Sequence, residues 1–126
     1  MKILTVDDSR MIRKLISRAA AVLGHDILEA DNGKVALEVL EQSEDPVDLI
    51  LLDWNMPEMD GFTTLQKLKD DDRYKAIPVM MVTTEAERES VVRAIQAGAK
   101  NYLCKPFTQE DLTVKIMECL GMGLEL

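Results

Sequence analysis

The chain has 126 residues, with 23 acidic and 15 basic side chains and a formal net charge of −8. This excess of acid argues against direct binding to nucleic acid, because phosphate contacts depend on Lys and Arg. No apolar run approaches the ~18 residues of a membrane span. Asp7 and Asp8 interrupt the apolar N-terminus too early for a signal peptide. The length predicts a single domain over residues 1–126, with a short C-terminal tail at 121–126.

Five short apolar runs, typical of strands, recur along the chain and cover residues 3–6, 27–30, 49–52, 79–82 and 102–104. The runs around Ile50 and Met80 are apolar throughout, which favours central strands of a parallel sheet. The run around Leu28 is more polar and is typical of an edge strand.

Segments of helical periodicity follow each of these runs. The first carries an apolar stripe that starts at Met11, which we expect in the core, and it ends at Gly24. The apolar positions of the fourth segment are Val91, Val92 and Ile95. Capping-box spacing predicts the starts of the last two helices, at Thr84 with Glu87 and at Thr108 with Asp111. Five strand–helix units of about 25 residues predict an α/β fold, with helices on both faces of a parallel sheet.

The two cysteines, Cys104 and Cys119, form neither a CxxC pair nor a metal-ligand spacing. We therefore expect two reduced thiols in a cytoplasmic protein.

In an open parallel sheet, ligands bind beyond the carboxyl ends of the strands. The residues that follow the apolar runs at that edge are Asp7, Asp8, Asp53, Thr83 and Lys105. Two carboxylates about 4 Å apart repel by roughly 4 kcal/mol at an effective dielectric of about 20. A hard divalent cation removes this repulsion, and a site with few carboxylates favours Mg²⁺. We therefore expect these side chains to form a Mg²⁺-binding crevice.

A carboxylate in such a crevice can attack phosphorus and form an aspartyl phosphate. Asp53 is the best candidate nucleophile, because it ends the most apolar and most central run. Asp7 and Asp8 then hold the metal. Mg²⁺, Lys105 and the hydroxyl of Thr83 would together position the phosphoryl group and neutralise its charge.

Four sequence blocks resemble the response regulator receiver domain: VDDS at 6–9, DWNMPEMDG at 53–61, VTTEA at 82–86 and YLCKPF at 102–107. Within that family, the chain is most similar to the single-domain chemotaxis regulators. The resemblance extends over residues 2–120, in the right order and spacing. It implies a flavodoxin-like, doubly wound sheet of five parallel strands in the order 2-1-3-4-5, with five helices.

The resemblance also implies site roles. Asp53 would accept a phosphoryl group from a histidine kinase. Mg²⁺ would be held by the side chains of Asp8 and Asp53, by the backbone carbonyl of Asn55 and, through water, by Asp7. Lys105 would contact the phosphoryl group.

Four further residues match positions that control signalling in the family. Thr83 and Tyr102 match a switch pair, in which the hydroxyl moves to the phosphate and the aromatic ring turns inward. Asn55 and Glu85 match two variable positions that modulate dephosphorylation. The peptide bond before Pro106 would be cis.

Two enzyme or carrier classes compete with a signalling switch. Phosphohydrolases of the haloacid dehalogenase type also form an aspartyl phosphate, but they need a second acid two residues after the nucleophile, where Asn55 stands. A flavodoxin-like electron carrier needs a phosphate loop after the first strand, where Asp7 and Asp8 would repel the flavin phosphate. We therefore expect a switch and not a turnover enzyme.

The short segments on either side of the predicted domain bear on how it would pass on its signal. If the chain is complete, no output domain is attached, and the output is a contact with a protein target. The expected partners are a histidine kinase, a target for which the flagellar motor switch is the leading candidate, and a phosphatase. We expect a monomer. A phosphorelay carrier or a phosphate sink for another regulator is the alternative role.

Overall fold

The computed structural model describes residues 1–84 and 88–121. Strands and helices alternate in the order β1 (Lys2–Val6), α1 (Arg10–Val22), β2 (Asp26–Ala30), α2 (Gly33–Gln42), β3 (Leu49–Asp53), α3 (Gly61–Lys69), β4 (Val79–Thr83), α4 (Arg88–Gln96), β5 (Asn101–Cys104) and α5 (Gln109–Cys119). Glu85, the predicted partner Glu87 of the capping box at Thr84, and tail residues 122–126 lie outside the described residues.

The five strands form one parallel sheet in the order β2-β1-β3-β4-β5, which confirms the predicted fold class. Strand β1 pairs with β2 on one side and β3 on the other, so Ile3 faces both Ile27 and Leu49. The chain therefore reverses its direction of winding at β1, and a crevice opens between the carboxyl ends of β1 and β3.

Every residue of β3 and β4 is buried, as the uniformly apolar runs predicted. Alternate residues of these strands enter two separate cores. Ile50 and Met81 pack with residues of α2, α3 and α4, whereas Leu51 and Met80 pack with residues of α1 and α5. The helices thus cover both faces of the sheet. None of the helices in the described part of the chain is long and apolar enough to span a membrane.

Side-chain caps fix where several helices begin. Ser9, Asn32 and Asp60 each accept a hydrogen bond from a backbone N–H in the first turn of the helix that follows. At α5, the Thr108 side chain bonds to the backbone of Asp111 and the Asp111 side chain bonds back. This reciprocal pair confirms the capping box predicted there.

Three apolar residues of α1 and α4 are exposed. Met11, which we expected in the core, is 71% exposed, and Val92 and Ile95 of α4 are also exposed. The reason at Met11 is geometric: it lies roughly 140° around α1 from the buried Ile16. A helix on a sheet buries only one stripe, so apolar residues beyond that stripe remain in solvent.

Candidate functional site

The strands bring four of the predicted site residues to one edge of the sheet. Asp7 follows β1, Asp53 and Thr83 end β3 and β4, and Lys105 follows β5. Asp7, Asp53 and Thr83 are buried, whereas Lys105 is partly exposed. Because β1, β3, β4 and β5 are adjacent and parallel, their carboxyl ends open onto the same crevice.

Three carboxylates gather in this crevice. Asp7, Asp8 and Asp53 each offer an oxygen, and these oxygens lie within 4.8 Å of one another. Asp8 is exposed, while Asp7 is 1% exposed and Asp53 is 6% exposed. Oxygen donors of this kind match the preference of a hard divalent cation such as Mg²⁺.

The Lys105 ammonium group bridges two of the carboxylates. Its Nζ lies 2.8 Å from Asp7 Oδ2 and 3.4 Å from Asp53 Oδ1. Burial acts to lower the pKa of Lys105, but the hydrogen bond to Asp7 and the charges of Asp53 and Asp7 outweigh it, so the pKa is raised. Lys105 is therefore a fixed positive charge beside both acids.

Asp53 is a weaker acid than an ordinary aspartate. Burial and the nearby charge of Asp7 raise its pKa from 3.8 to about 6, although Lys105 acts in the opposite direction. Its Oδ1 accepts a hydrogen bond from the backbone N–H of Trp54 at 2.9 Å. Among the described residues, none donates a hydrogen bond to Asp53 Oδ2.

Neighbouring loops hold Asp7 in place. Its Oδ1 accepts a hydrogen bond from the backbone N–H of Ser9 at 2.8 Å, and Ser9 in turn caps α1. Arg13 Nη1 donates to the backbone carbonyl of Asp7 at 2.6 Å, and its Nε pairs with Glu29 at 3.1 Å. With Lys105 on Oδ2, both carboxylate oxygens of Asp7 are engaged.

A glycine allows α3 to approach the carboxyl end of β3. The backbone N–H of Gly61 donates to the carbonyl of Trp54 at 2.8 Å. A Cβ at Gly61 would overlap the backbone carbonyl of Asp53, so any larger residue would displace one of the two segments. Gly61 therefore helps to fix the position of Asp53.

The sequence did not reveal an aromatic contact beside Asp53. Trp54 is half-buried, and its ring lies 5.6 Å from the ring of Phe62 in α3. Arg93 of α4 stacks on the other ring of this pair, with its guanidinium carbon 4.4 Å from the centroid of Phe62. Residues 54, 62 and 93 are far apart in the sequence, so no local spacing could have indicated the stack.

The chain is similar to known proteins over nearly its whole length. The family model for the response regulator receiver domain matches residues 3–117. The chain is 43% identical over 124 residues to the chemotaxis protein CheY homolog of Campylobacter jejuni, covering 98% of this chain and 95% of the relative.

This chain belongs to the response regulator receiver domain family. Two solved structures are similar to it. CheY4 of Vibrio cholerae has a TM-score of 0.87 and 34% identity, covering 94% of this chain and 98% of that chain. The manganese-bound form of the response regulator Rcp1 has a TM-score of 0.78 and 27% identity, covering 96% of this chain and 90% of that chain.

The receiver domain is the phosphorylation-dependent switch of two-component signalling, and this one is of the CheY type. Receiver domains are signalling proteins and not substrate-turnover enzymes. Family membership therefore excludes the two alternative functions, a phosphohydrolase of the haloacid dehalogenase type and a flavodoxin-like electron carrier.

The remaining predicted residues of the receiver domain are placed as follows. Thr83 is buried, and Tyr102 is half-buried with its hydroxyl oxygen inside and its ring against the core of α2, α3 and α4. Asn55 is exposed in the loop after β3, and Glu85 lies outside the described residues. The peptide bond between Lys105 and Pro106 is cis, as the resemblance implied.

Proposed function

We propose that Asp53 is the phosphoacceptor of this receiver domain, with Mg²⁺ as the cofactor. The supporting observation is the difference between the two buried aspartates. Both oxygens of Asp7 are engaged, by Ser9 and by Lys105. Asp53 keeps Oδ2 without a partner among the described residues, at the mouth of the crevice. A nucleophile needs a free oxygen that can reach the donor.

The transfer forms one bond and breaks another. Asp53 Oδ2 attacks the phosphorus of the donor, and the bond between phosphorus and the leaving nitrogen of a phosphohistidine breaks. The electron pair of that bond returns to the imidazole. Lys105, whose Nζ lies 3.4 Å from Asp53 Oδ1, would contact the phosphoryl oxygens and offset their charge.

The donor set supports Mg²⁺ as the ion. Asp8 and Asp53 would hold it through side-chain oxygens, Asn55 through its backbone carbonyl and Asp7 through water. When bound, Mg²⁺ supplies positive charge to the phosphoryl oxygens. The partly open crevice, in which Asp8 is exposed, leaves room for the waters that Mg²⁺ retains.

Signal output is assigned to Thr83 and Tyr102. Thr83 ends β4 at full burial, next to Cys104 of β5 in the sheet register. Movement of its hydroxyl toward a phosphoryl group on Asp53 would therefore affect the neighbouring strand β5, which carries Tyr102. Asn55 and Glu85 are the proposed modulators of the dephosphorylation that the domain carries out on itself.

The physiological setting is proposed from the CheY-type relatives. A histidine kinase would donate the phosphoryl group, the flagellar motor switch would be the target, and a phosphatase would shorten the signal. The domain over residues 1–126 would act as a cytoplasmic monomer in chemotaxis. Neither nucleic acid nor a membrane is a proposed partner.

Phosphorylation is tested with acetyl phosphate and Mg²⁺. Intact-mass spectrometry should show one added phosphoryl group, peptide mapping should place it on Asp53, and Asp53→Asn should remove it. The matched control is Asp26→Asn, an exposed aspartate of β2 that should leave the modification unchanged. Phosphate on Asp7 or Asp8 in the wild-type protein would overturn the assignment.

Output is tested with the beryllofluoride complex of the protein, which imitates the phosphorylated state. It should bind the motor-switch protein of the same organism more tightly than the untreated protein does. Thr83→Ala should still accept phosphate from acetyl phosphate but lose most of this gain in binding. Equal gains in Thr83→Ala and wild type would remove the switch role. Transfer of the phosphate to a histidine phosphotransfer protein, without any motor binding, would favour the relay role.

A further inference from the structure

Three side chains form a continuous stack that joins α4 to the segment after Asp53. The ring of Trp54 lies 5.6 Å from the ring of Phe62, and the guanidinium carbon of Arg93 lies 4.4 Å from the centroid of Phe62. The first distance is typical of an attractive pair of aromatic rings, and the second is typical of a cation held on the face of a ring. We call Trp54, Phe62 and Arg93 the aromatic stack.

Arg93 has no other polar partner in the part of the chain that the structure describes. Among residues 1–84 and 88–121, no ion pair or hydrogen bond engages its exposed side chain. Arg93 lies in the last turn of α4, where the helix dipole favours a positive charge. A lysine serves that purpose equally well, as Lys67 does in the last turn of α3. The dipole therefore does not explain the flat guanidinium group on Phe62.

Burial does little to fix the position of α4. Within residues 89–96 of this helix, Ala94 alone is buried, whereas Val92 and Ile95 are exposed. The side chain of Ala offers only a small apolar area for packing. The contact between Arg93 and Phe62 is therefore an important link between α4 and α3.

The other end of the aromatic stack reaches the candidate phosphoacceptor. The backbone N–H of Trp54 donates to Asp53 Oδ1 at 2.9 Å. The carbonyl of Trp54 accepts from the N–H of Gly61 at 2.8 Å, and Phe62 follows Gly61 in α3. The peptide groups on both sides of Trp54 are thus fixed, one by Asp53 and the other by the start of α3. A displacement of Trp54 would reach the carboxylate of Asp53 through one hydrogen bond.

We propose that Arg93 is a positioning residue for the phosphorylation of Asp53. This inference rests on the proposed function, in which Asp53 is the phosphoacceptor. Arg93 holds Phe62 and Trp54 in one arrangement, and the Trp54 N–H then fixes Asp53 Oδ1, so that Oδ2 keeps one direction for attack. Such alignment matters because a small misplacement of reacting atoms lowers the rate strongly. Arg93 acts through the aromatic stack and not by contact with the phosphoryl group.

The first test asks whether Arg93 holds Trp54 in solution. Trp54 is the only tryptophan, so quenching of the protein's fluorescence by acrylamide reports on it alone. Arg93→Gln should increase the quenching, because Phe62 and Trp54 become more mobile. The matched control is Lys67→Gln, which removes a charge from the last turn of α3 and should leave the quenching unchanged. The measurement is made in EDTA without a phosphodonor, so its result does not depend on the role of Asp53.

The second test measures the rate of Asp53 phosphorylation by acetyl phosphate in saturating Mg²⁺. Arg93→Gln should lower the rate about two- to fivefold, as expected for an exposed contact between a cation and a ring. Arg93→Lys keeps the charge without the flat group and should recover only part of the rate. Lys67→Gln should have the wild-type rate. Both Gln variants should fold, because the two positions are exposed and Gln is a good helix former.

Two further measurements separate the aromatic stack from simple attraction of an anionic donor. The loss in Arg93→Gln should persist in about 0.5 M salt, which screens attraction between exposed charges. In a Phe62→Leu background, Arg93→Gln should cause no further loss, because the two residues act through one stack. A loss that disappears in salt, or an equal loss in Lys67→Gln, would show that Arg93 acts by charge alone and would overturn the proposal.

Other results would also contradict the positioning role. Unchanged quenching in Arg93→Gln would show that Arg93 does not hold Trp54. Fully additive losses from Phe62→Leu and Arg93→Gln would place the effect of Arg93 outside the aromatic stack. A wild-type rate in Arg93→Gln, with the phosphate on Asp53, would overturn this inference and leave the proposed function intact. A wild-type protein that carries no phosphate on Asp53 would overturn both.

Discussion

Asp7 and Asp53 are the same type of residue at adjacent strand ends, yet their surroundings differ. Asp7 is held by a backbone N–H and by Lys105, one on each oxygen. Asp53 receives both of its contacts on Oδ1. Burial and the charge of Asp7 also raise the pKa of Asp53 to about 6. The result is one anchored carboxylate and one that is available for chemistry.

A buried hydroxyl gives the first prediction at this scale. Thr5 of β1 is fully buried, and its Oγ1 has no hydrogen-bond partner among the described residues. Replacing an unpaired buried hydroxyl with a methyl group of the same shape removes its desolvation cost. Thr5→Val should therefore raise the free energy of unfolding by about 1 kcal/mol, measured by urea denaturation.

Thr64 of α3 is the matched control. It is also fully buried, but its Oγ1 donates to the carbonyl of Asp60 at 2.7 Å. Thr64→Val should lower the free energy of unfolding by about 1 kcal/mol, because a hydrogen bond is lost. Equal destabilisation by the two substitutions would mean that the Thr5 hydroxyl is paired in solution.

Much of the site could be predicted from the rule that the carboxyl ends of parallel strands meet at one edge. From the sequence alone, that rule predicts that Asp7, Asp53, Thr83 and Lys105 lie close together. It could not predict that Lys105 would pair with Asp7 more closely than with Asp53, at 2.8 Å against 3.4 Å. Such a choice depends on side-chain directions across 98 positions of sequence.

At the scale of elements, the sequence predicted burial correctly for strands that are buried throughout. It did not predict burial correctly for a helix of which only one stripe is buried. The uniformly apolar runs became β3 and β4, which are buried throughout. In α1, the periodicity located the helix but misjudged the burial of Met11. The width of a buried stripe depends on how the helix crosses the sheet, and helical spacing alone does not contain that angle.

The capping box of α5 is a feature that the sequence did locate, and it should contribute to stability. Thr108→Ala removes the side chain that accepts from the Asp111 backbone at 3.0 Å. We expect the free energy of unfolding to fall by about 1 kcal/mol in urea denaturation. The control is Thr113→Ala inside the same helix. The Thr113 hydroxyl also donates to the carbonyl of Gln109 at 2.8 Å, but this bond is exposed to water, so the change should be nearly neutral because Ala is the better helix former. Comparable losses at both positions would argue against a role for the cap.

At the scale of the whole molecule, the fold concentrates like charge at one edge of the sheet. Asp7 and Asp53 are buried beside Asp8, and Lys105 is the cation that bridges two of the three. Despite this ammonium group, burial and, after it, the charge of Asp7 keep the pKa of Asp53 raised. In the absence of metal, the cluster therefore destabilises the folded state. The function of the site explains why the cluster is present.

The cost of the cluster should appear in denaturation experiments, with a sign fixed by the pKa of Asp53. Its pKa is 3.8 in the unfolded chain and about 6 in the folded protein. The unfolded chain therefore loses this proton at lower pH than the folded protein does. The penalty is absent below about pH 3, grows as pH rises between the two pKa values and is complete at neutral pH.

Asp53→Asn in EDTA at pH 7 should consequently raise the free energy of unfolding by about 1–3 kcal/mol. The gain should disappear below about pH 3, where Asp53 is protonated in both states. Asp8→Asn should give a smaller gain, because Asp8 is exposed. Saturating Mg²⁺ should cancel or reverse both gains, since it stabilises only the protein that keeps its carboxylates. Urea denaturation of the three proteins in EDTA and in Mg²⁺ measures this directly. If both variants had a lower free energy of unfolding than wild type in EDTA at pH 7, Lys105 would already neutralise the repulsion among the carboxylates. Metal binding would then relieve no repulsion.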